Sequence, residues 1–277
     1  MMDHATNQSD DCPCFPSDEA EAALRPAIAA ATVIVMADGE GEGRPQLLMV
    51  ERAASMAFAA GMAVFPGGRV DPDDVLLGQR LAPRHRLSLT DAAARVAAIR
   101  ETMEETGLGI GLQPALDAAA LQQLRADLVS GAAFSACLDS LNILLDLSAL
   151  TPFARWRPNH ATARVFDTRF YVAQVAGIDA SLSVNDGEHN DLFWNDAHGY
   201  LNQERAGELT MIFPTLCNLQ RLAQFDTVQA VVGAARTIPA RRITPRIEQR
   251  DGESYLCIPS GYGYPVTERL LSDVRRG

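Results

Sequence analysis

The chain has 277 residues, 47% of them hydrophobic, and a formal net charge of −11 at neutral pH. This length and apolar content suffice for one large core, with or without appendages. The acidic balance excludes general nucleic-acid binding, which needs a basic surface, and no apolar run reaches the roughly 18 residues that would span a bilayer. A small anionic ligand stays within reach, because bound cations and a few arginines can reverse the local field.

Residues 1–25 are rich in Asp, Ser, Asn and Pro, which predicts a disordered polar tail. They carry neither the basic start nor the apolar stretch of a secretion signal, so a cytoplasmic location is the expectation. The five cysteines are Cys12, Cys14, Cys137, Cys217 and Cys257. Cys12-Pro13-Cys14 has one intervening residue, unlike a typical zinc or redox pair, and falls in the tail.

Order is expected from Pro26, opening a domain over residues 26–235. Ala27 to Met36 reads as a buried strand and Gln46 to Glu51 as a second, joined by the glycine-rich turn 38–43 into a hairpin. Met62 to Phe65 is a short third strand leading into Pro66-Gly67-Gly68, a turn where backbone can come close to a ligand. Asp71 to Leu89 is polar, contains Pro72, Gly78 and Pro83, and reads as a loop. Thr90 is the expected N-cap of a helix running to Thr106, with Gly107 as its stop. Residues 112–150 predict an added helical layer, with 113–150 as a surface on which a homodimer could form. Trp156-Arg157-Pro158 reads as a polar loop and Arg164 to Val175 as a strong strand. Asn185-Asp186-Gly187 is a tight turn, and Asp191 to Trp194 a short strand. Asp196 to Ala206 and Pro214 to Ala234 each read as one helix. Residues 236–277, with Arg241, Arg242, Arg246 and Arg250, are expected to form an extension packed on the domain.

On the helix ending at Thr106, Ala92, Val96, Ile99 and Met103 share one side. Glu101, Glu104 and Glu105 share the other. Like charges at this spacing repel unless a cation sits between them. Oxygen donors so crowded suit hard divalent ions such as Mg²⁺, and Arg100 beside them can orient a carboxylate through a forked hydrogen bond. A solvated acidic helix face is the plain alternative.

These residues resemble the Nudix box, which runs Gly, five residues, Glu, seven residues, then Arg-Glu-aliphatic-any-Glu-Glu-any-Gly-aliphatic. Gly68 matches the first glycine; Arg100-Glu101, Glu104-Glu105, Gly107 and Leu108 match the second half in register. Asp74 stands at the first glutamate and Thr102 at the aliphatic position. The gap between Asp74 and Arg100 is 25 residues instead of seven, an insertion of 18. Loop growth there costs little entropy, and the sequence resembles the interrupted-box branch, the peroxisomal coenzyme A diphosphatase-like group. The resemblance implies an α/β (α+β) fold, a Nudix-type α/β/α sandwich with a mixed sheet. It further implies hydrolysis of a nucleoside diphosphate linked to another moiety, with Mg²⁺ or Mn²⁺ held by Glu101, Glu104, Glu105 and the Gly68 carbonyl. By the same resemblance Arg100 orients Glu101, Asp74 supports, and one glutamate serves as base. A further ligand is expected from a later loop, with Glu188 ahead of Asp191. Coenzyme A diphosphatases also carry an upstream motif, matched here by Leu48-Met49, Arg52, Ala53, Gly61 and Phe65-Pro66-Gly67-Gly68. Its second arginine is Ala57 in this chain. The implied substrate-binding residues are Arg52, Phe65, Gly67, Gly68 and Arg69. The expected ligand is coenzyme A or an acyl ester of it; ADP-ribose, NADH or a non-catalytic nucleotide sensor are the alternatives. Neither nucleic acid nor membrane is an expected partner.

Overall fold

The organising element is the apolar strand β1 (Ile28–Ala37), whose residues Val33 to Ala37 are fully buried. A strand covered on both faces needs apolar residues at every position rather than in alternation. The computed structural model describes residues 26–39, 41, 43–54, 59–158, 164–178 and 189–274. Among these, β1 pairs in parallel with β8 (Phe166–Gln174) on one edge. On the other edge it pairs antiparallel with β4 (Gly67–Arg69) and then with β2 (Gln46–Arg52). β2 also pairs with β3 (Ala63–Val64) and β9 (His189–Asp196), and β8 with β7 (Thr151–Trp156). The result is a mixed eight-stranded sheet closed at its far edge by β10 (Arg242–Ile243).

Helices cover both faces. On one, Ala31, Val33 and Val35 of β1 meet α2 (Leu89–Thr106), through Ala94, Val96 and Ile99, and α1 (Pro72–His85), through Leu77. α3 (Ala118–Val129) and α4 (Phe134–Leu141) extend that layer. On the other, Ile34, Met36, Phe153 and Phe170 pack against α5 (Ala197–Ala206), α6 (Phe213–Leu222) and α7 (Val228–Thr237). The expected mixed α/β sandwich is the observed one. No helix among the described residues is long and apolar enough to cross a membrane.

Four local readings are corrected. Residues 72–85 are helix, not loop. Asp71 is the N-cap, Pro72 occupies the first turn, and the Asp74 carboxylate accepts the Asp71 backbone N–H at 2.8 Å. Gly78, read as a breaker, lies against α2: a Cβ there would lie 2.6 Å from the Ala93 nitrogen. Ser88 caps α2 in place of Thr90, accepting the Asp91 N–H. Trp156 ends a strand and is buried, its indole N–H donating to the Tyr264 hydroxyl. The single helix expected over 214–234 is two helices, because Thr227 caps a new one through the Ala230 N–H.

The segment 112–150 leaves and returns through a paired base, β5 (Leu112–Gln113) with β6 (Leu144–Leu145). After β10 the chain forms a three-stranded antiparallel sheet, β11 (Arg246–Arg250), β12 (Glu253–Cys257) and β13 (Glu268–Leu270). Leu256, Ile258, Tyr262 and Tyr264 of this region join the core of the α5–α7 face.

Candidate active site

β4 and the last two turns of α2 meet at one end of the sandwich. Gly67 donates its N–H to Glu105 Oε2 at 2.9 Å. A Cβ at Gly67 would run into the Ala31 and Thr32 backbone, and one at Gly68 would run into the Glu101 carboxylate. The turn therefore needs glycine at position 67, where backbone bars a side chain, while a side chain at position 68 would have to displace the Glu101 carboxylate.

Arg100 lies at the centre. Its Nε and Nη2 clasp Asp74 at 3.0 and 2.8 Å, the forked geometry that a guanidinium offers a carboxylate. Nη2 also donates to the Arg69 carbonyl at 3.0 Å and lies 3.0 Å from Glu101 Oε1, while Nη1 donates to Glu104 Oε1 at 3.0 Å. Asp74 is fully buried. Its short side chain suffices where the motif has Glu because the N-terminus of α1 brings it to Arg100. Burial raises the Asp74 carboxyl above its usual range, against the pull of Arg100. Burial would lower the Arg100 pKa, but hydrogen bonds to Asp74 and the charges of Glu101, Asp74 and Glu104 outweigh it and raise it. Burial, with Glu104 adding to it, pushes the Glu101 carboxyl up to about 7.

The chain thus brings together Gly67, Gly68, Arg69, Asp74, Arg100, Glu101, Glu104 and Glu105. The three glutamates are turned onto Arg100 and Gly67; among the described residues no three acidic, His or Cys side chains are already gathered as a metal cage. Glu105 is buried, whereas Glu101 and Glu104 keep side-chain exposures of 15% and 22%. Thr102, at the motif's aliphatic position, is buried with its hydroxyl donating to the Ala98 carbonyl, so the polar atom is satisfied within the helix. The Phe65 side chain lies in the core, which leaves its backbone as the part able to meet a ligand. Arg52 ends β2, and its Nε is buried with no hydrogen-bond partner among the described residues. Asp191 is exposed in β9, opposite Glu51. Glu188 and Ala57 lie outside the described residues.

Sequence reasoning missed Arg125. It donates from α3 to the Glu104 carbonyl at 3.0 Å and the Glu105 carbonyl at 2.9 Å. No local pattern announces a contact made across separate helices.

Residues 27–134, spanning both halves of the split box, match the NUDIX domain family. This stretch of the chain is a NUDIX domain. A crystal structure of a NUDIX hydrolase from Alicyclobacillus acidocaldarius aligns with a TM-score of 0.67 at 28% identity, covering 76% of this chain and 97% of that one. A curated Caenorhabditis elegans relative bearing the nudix hydrolase name is 26% identical over 243 residues, 83% of this chain and 74% of its own length. The resemblance read from Gly68 and from Arg100 to Leu108 is borne out at the level of the Nudix family. Nudix hydrolases cleave pyrophosphate linkages in nucleoside diphosphate derivatives and generally use divalent metal ions.

Proposed function

We propose that this chain is a divalent-metal-dependent Nudix hydrolase cleaving the phosphoanhydride of coenzyme A or an acyl-coenzyme A. The observation that carries the metal dependence is the placement of Glu101, Glu104 and Glu105 at one end of α2, against the Gly67-Gly68 backbone. This donor set is all oxygen, which fits Mg²⁺ or Mn²⁺. Glu101, Glu104, Glu105 and the Gly68 carbonyl would hold the ion, with Glu188 or Asp191 as a further ligand. When bound, it neutralises the diphosphate and lowers the pKa of an attacking water.

The protein's own part begins with Arg100. Held on Asp74, it orients Glu101 and Glu104 at the end of α2 through its remaining N–H groups. One of the three glutamates takes the proton from the attacking water. The close approach of Gly67 and Gly68 leaves peptide groups, rather than side chains, to face the phosphates. The coenzyme A reading is supported by Leu48-Met49, Arg52, Ala53, Gly61 and Phe65 to Gly68 in motif register. Ala57, in place of the motif's second arginine, favours a second reading, a dinucleotide such as ADP-ribose or NADH.

A hydrolysis screen with Mg²⁺ or Mn²⁺ across coenzyme A, acyl-coenzyme A, ADP-ribose, NADH and nucleoside triphosphates tests both. Turnover should be greatest with a coenzyme A thioester or free coenzyme A. Glu104→Gln and Glu105→Gln should each lower kcat at least about a hundredfold; unchanged activity in both removes the assigned metal site. Tight nucleotide binding without turnover of any substrate would point to a sensor.

A further inference from the structure

The catalytic helix ends unfavourably. Its last turns carry Glu101, Glu104 and Glu105, and its last turn has no basic residue. The C-terminal end of a helix is already partially negative, and its last four carbonyls lack partners within the helix. The Gly107 N–H satisfies the Met103 carbonyl at 2.8 Å. The next two carbonyls, of Glu104 and Glu105, accept from Nε and Nη2 of Arg125.

Arg125 sits on α3, in the segment inserted after the box. α3 is anchored by Leu124 and Leu128, both buried beneath it. The inserted segment is tied to α1, because Asp73 accepts the Ser135 N–H at 2.9 Å and the Ser135 hydroxyl at 2.6 Å at the start of α4. α1 also supplies Asp74, which clasps Arg100. The two insertions, one splitting the box and one following it, are thus a single support. Through Arg100 this support holds the Glu104 side chain, and through Arg125 it holds the Glu104 and Glu105 backbone.

Resting on the reading that these glutamates bind the metal, we infer that Arg125 is a positioning residue for the metal site, and that the helical insertion exists in part to carry it. A helix cap alone would contribute stability. A positioning residue also sets how well Glu104 and Glu105 hold an ion. The two-pronged contact suits Arg and not Lys, whose single ammonium cannot span two carbonyls in fixed geometry.

The experiment is Mn²⁺ binding to the full-length protein without substrate, read from the electron paramagnetic resonance of unbound Mn²⁺. It is run on wild type, Arg125→Ala, Arg125→Lys and the control Glu104→Gln, with melting temperatures alongside. Arg125→Ala should weaken Mn²⁺ binding about tenfold, the lower end of the loss when a ligand's outer partner is removed. Arg125→Lys should recover part of that loss, and the substrate KM at saturating metal should not move. Should Arg125→Ala fail to fold, Arg125→Lys alone decides, because it retains the charge but not the fork. Wild-type Mn²⁺ affinity in a folded Arg125 variant overturns the inference, whatever the loss in melting temperature, provided Glu104→Gln loses the ion. If Glu104→Gln binds like wild type, the metal assignment itself falls, and this inference with it.

Discussion

Three arginines are buried among the described residues, Arg95, Arg100 and Arg221, and the surroundings of the last two are opposites. Arg100, at the acid cluster, meets the carboxylates of Asp74, Glu101 and Glu104. Arg221, on α6, stacks 4.0 Å above the Phe153 ring and lies 5.5 Å from that of Tyr264. It donates to the Phe153 carbonyl at 2.7 Å, while its Nε and Nη2 have no partner among the described residues. Carboxylates raise the pKa of Arg100; burial lowers that of Arg221. The same side chain thus serves by its charge at one end of the sandwich. On α6, in the helical layer of the other face, its flat face packs between aromatic rings, where the C-terminal segment joins the domain.

The sharpest way to break this contrast is Arg100→Ala. Removing it leaves Asp74 buried without its countercharge, which costs about 3–5 kcal/mol, and releases Glu101 and Glu104. Chemical denaturation should show that loss of stability, and activity should fall to background; Arg100→Lys should restore little of either, because an ammonium cannot fork. Arg221→Met is the matching test at the second arginine. It removes a buried charge with no acidic partner and keeps the volume, so stability should stay within about 1 kcal/mol of wild type, or rise, with kcat unchanged. A loss as large as that of Arg100→Ala would show that the two arginines are held by the same forces after all.

The smallest effect concerns pH. Glu101 titrates near 7 in the fold against a usual 4.5, so the native state binds more protons than the unfolded chain between those values. From this group the metal-free protein loses stability as pH rises across that window. A divalent ion selects the ionised carboxylate, so its stabilising shift in melting temperature should be larger at pH 8 than at pH 6. An equal shift at both would show that the partly buried Glu101 is already ionised at pH 6.

Much of this was legible in the chain. The apolar run of β1, the strand over Phe166 to Gln174, and the helix ending at Gly107 follow from local pattern, as does the register of Arg100 to Leu108. What escaped depends on contacts between distant elements. α1 has few buried apolar positions and contains Gly78 and Pro83, so its periodicity is faint. The available signal was capping chemistry, Asp71-Pro72 followed by Asp74, which outweighs the polar composition. Asp74 looked too short at a glutamate position because only the fold shows that a helix start delivers it to Arg100. Arg125 was invisible for the same reason, and Trp156 looked exposed because Tyr264, its partner, lies 108 residues away.

The glycine turn has one more consequence. The space where Gly68 would carry a side chain is filled by the carboxylate of Glu101. In genetic terms the two codons form a single locus. Any missense change at position 68 acts as a lesion at position 101, displacing the acid while leaving its own codon intact. A screen that scores each position alone would call Gly68 structural and Glu101 chemical, although the two report the same event.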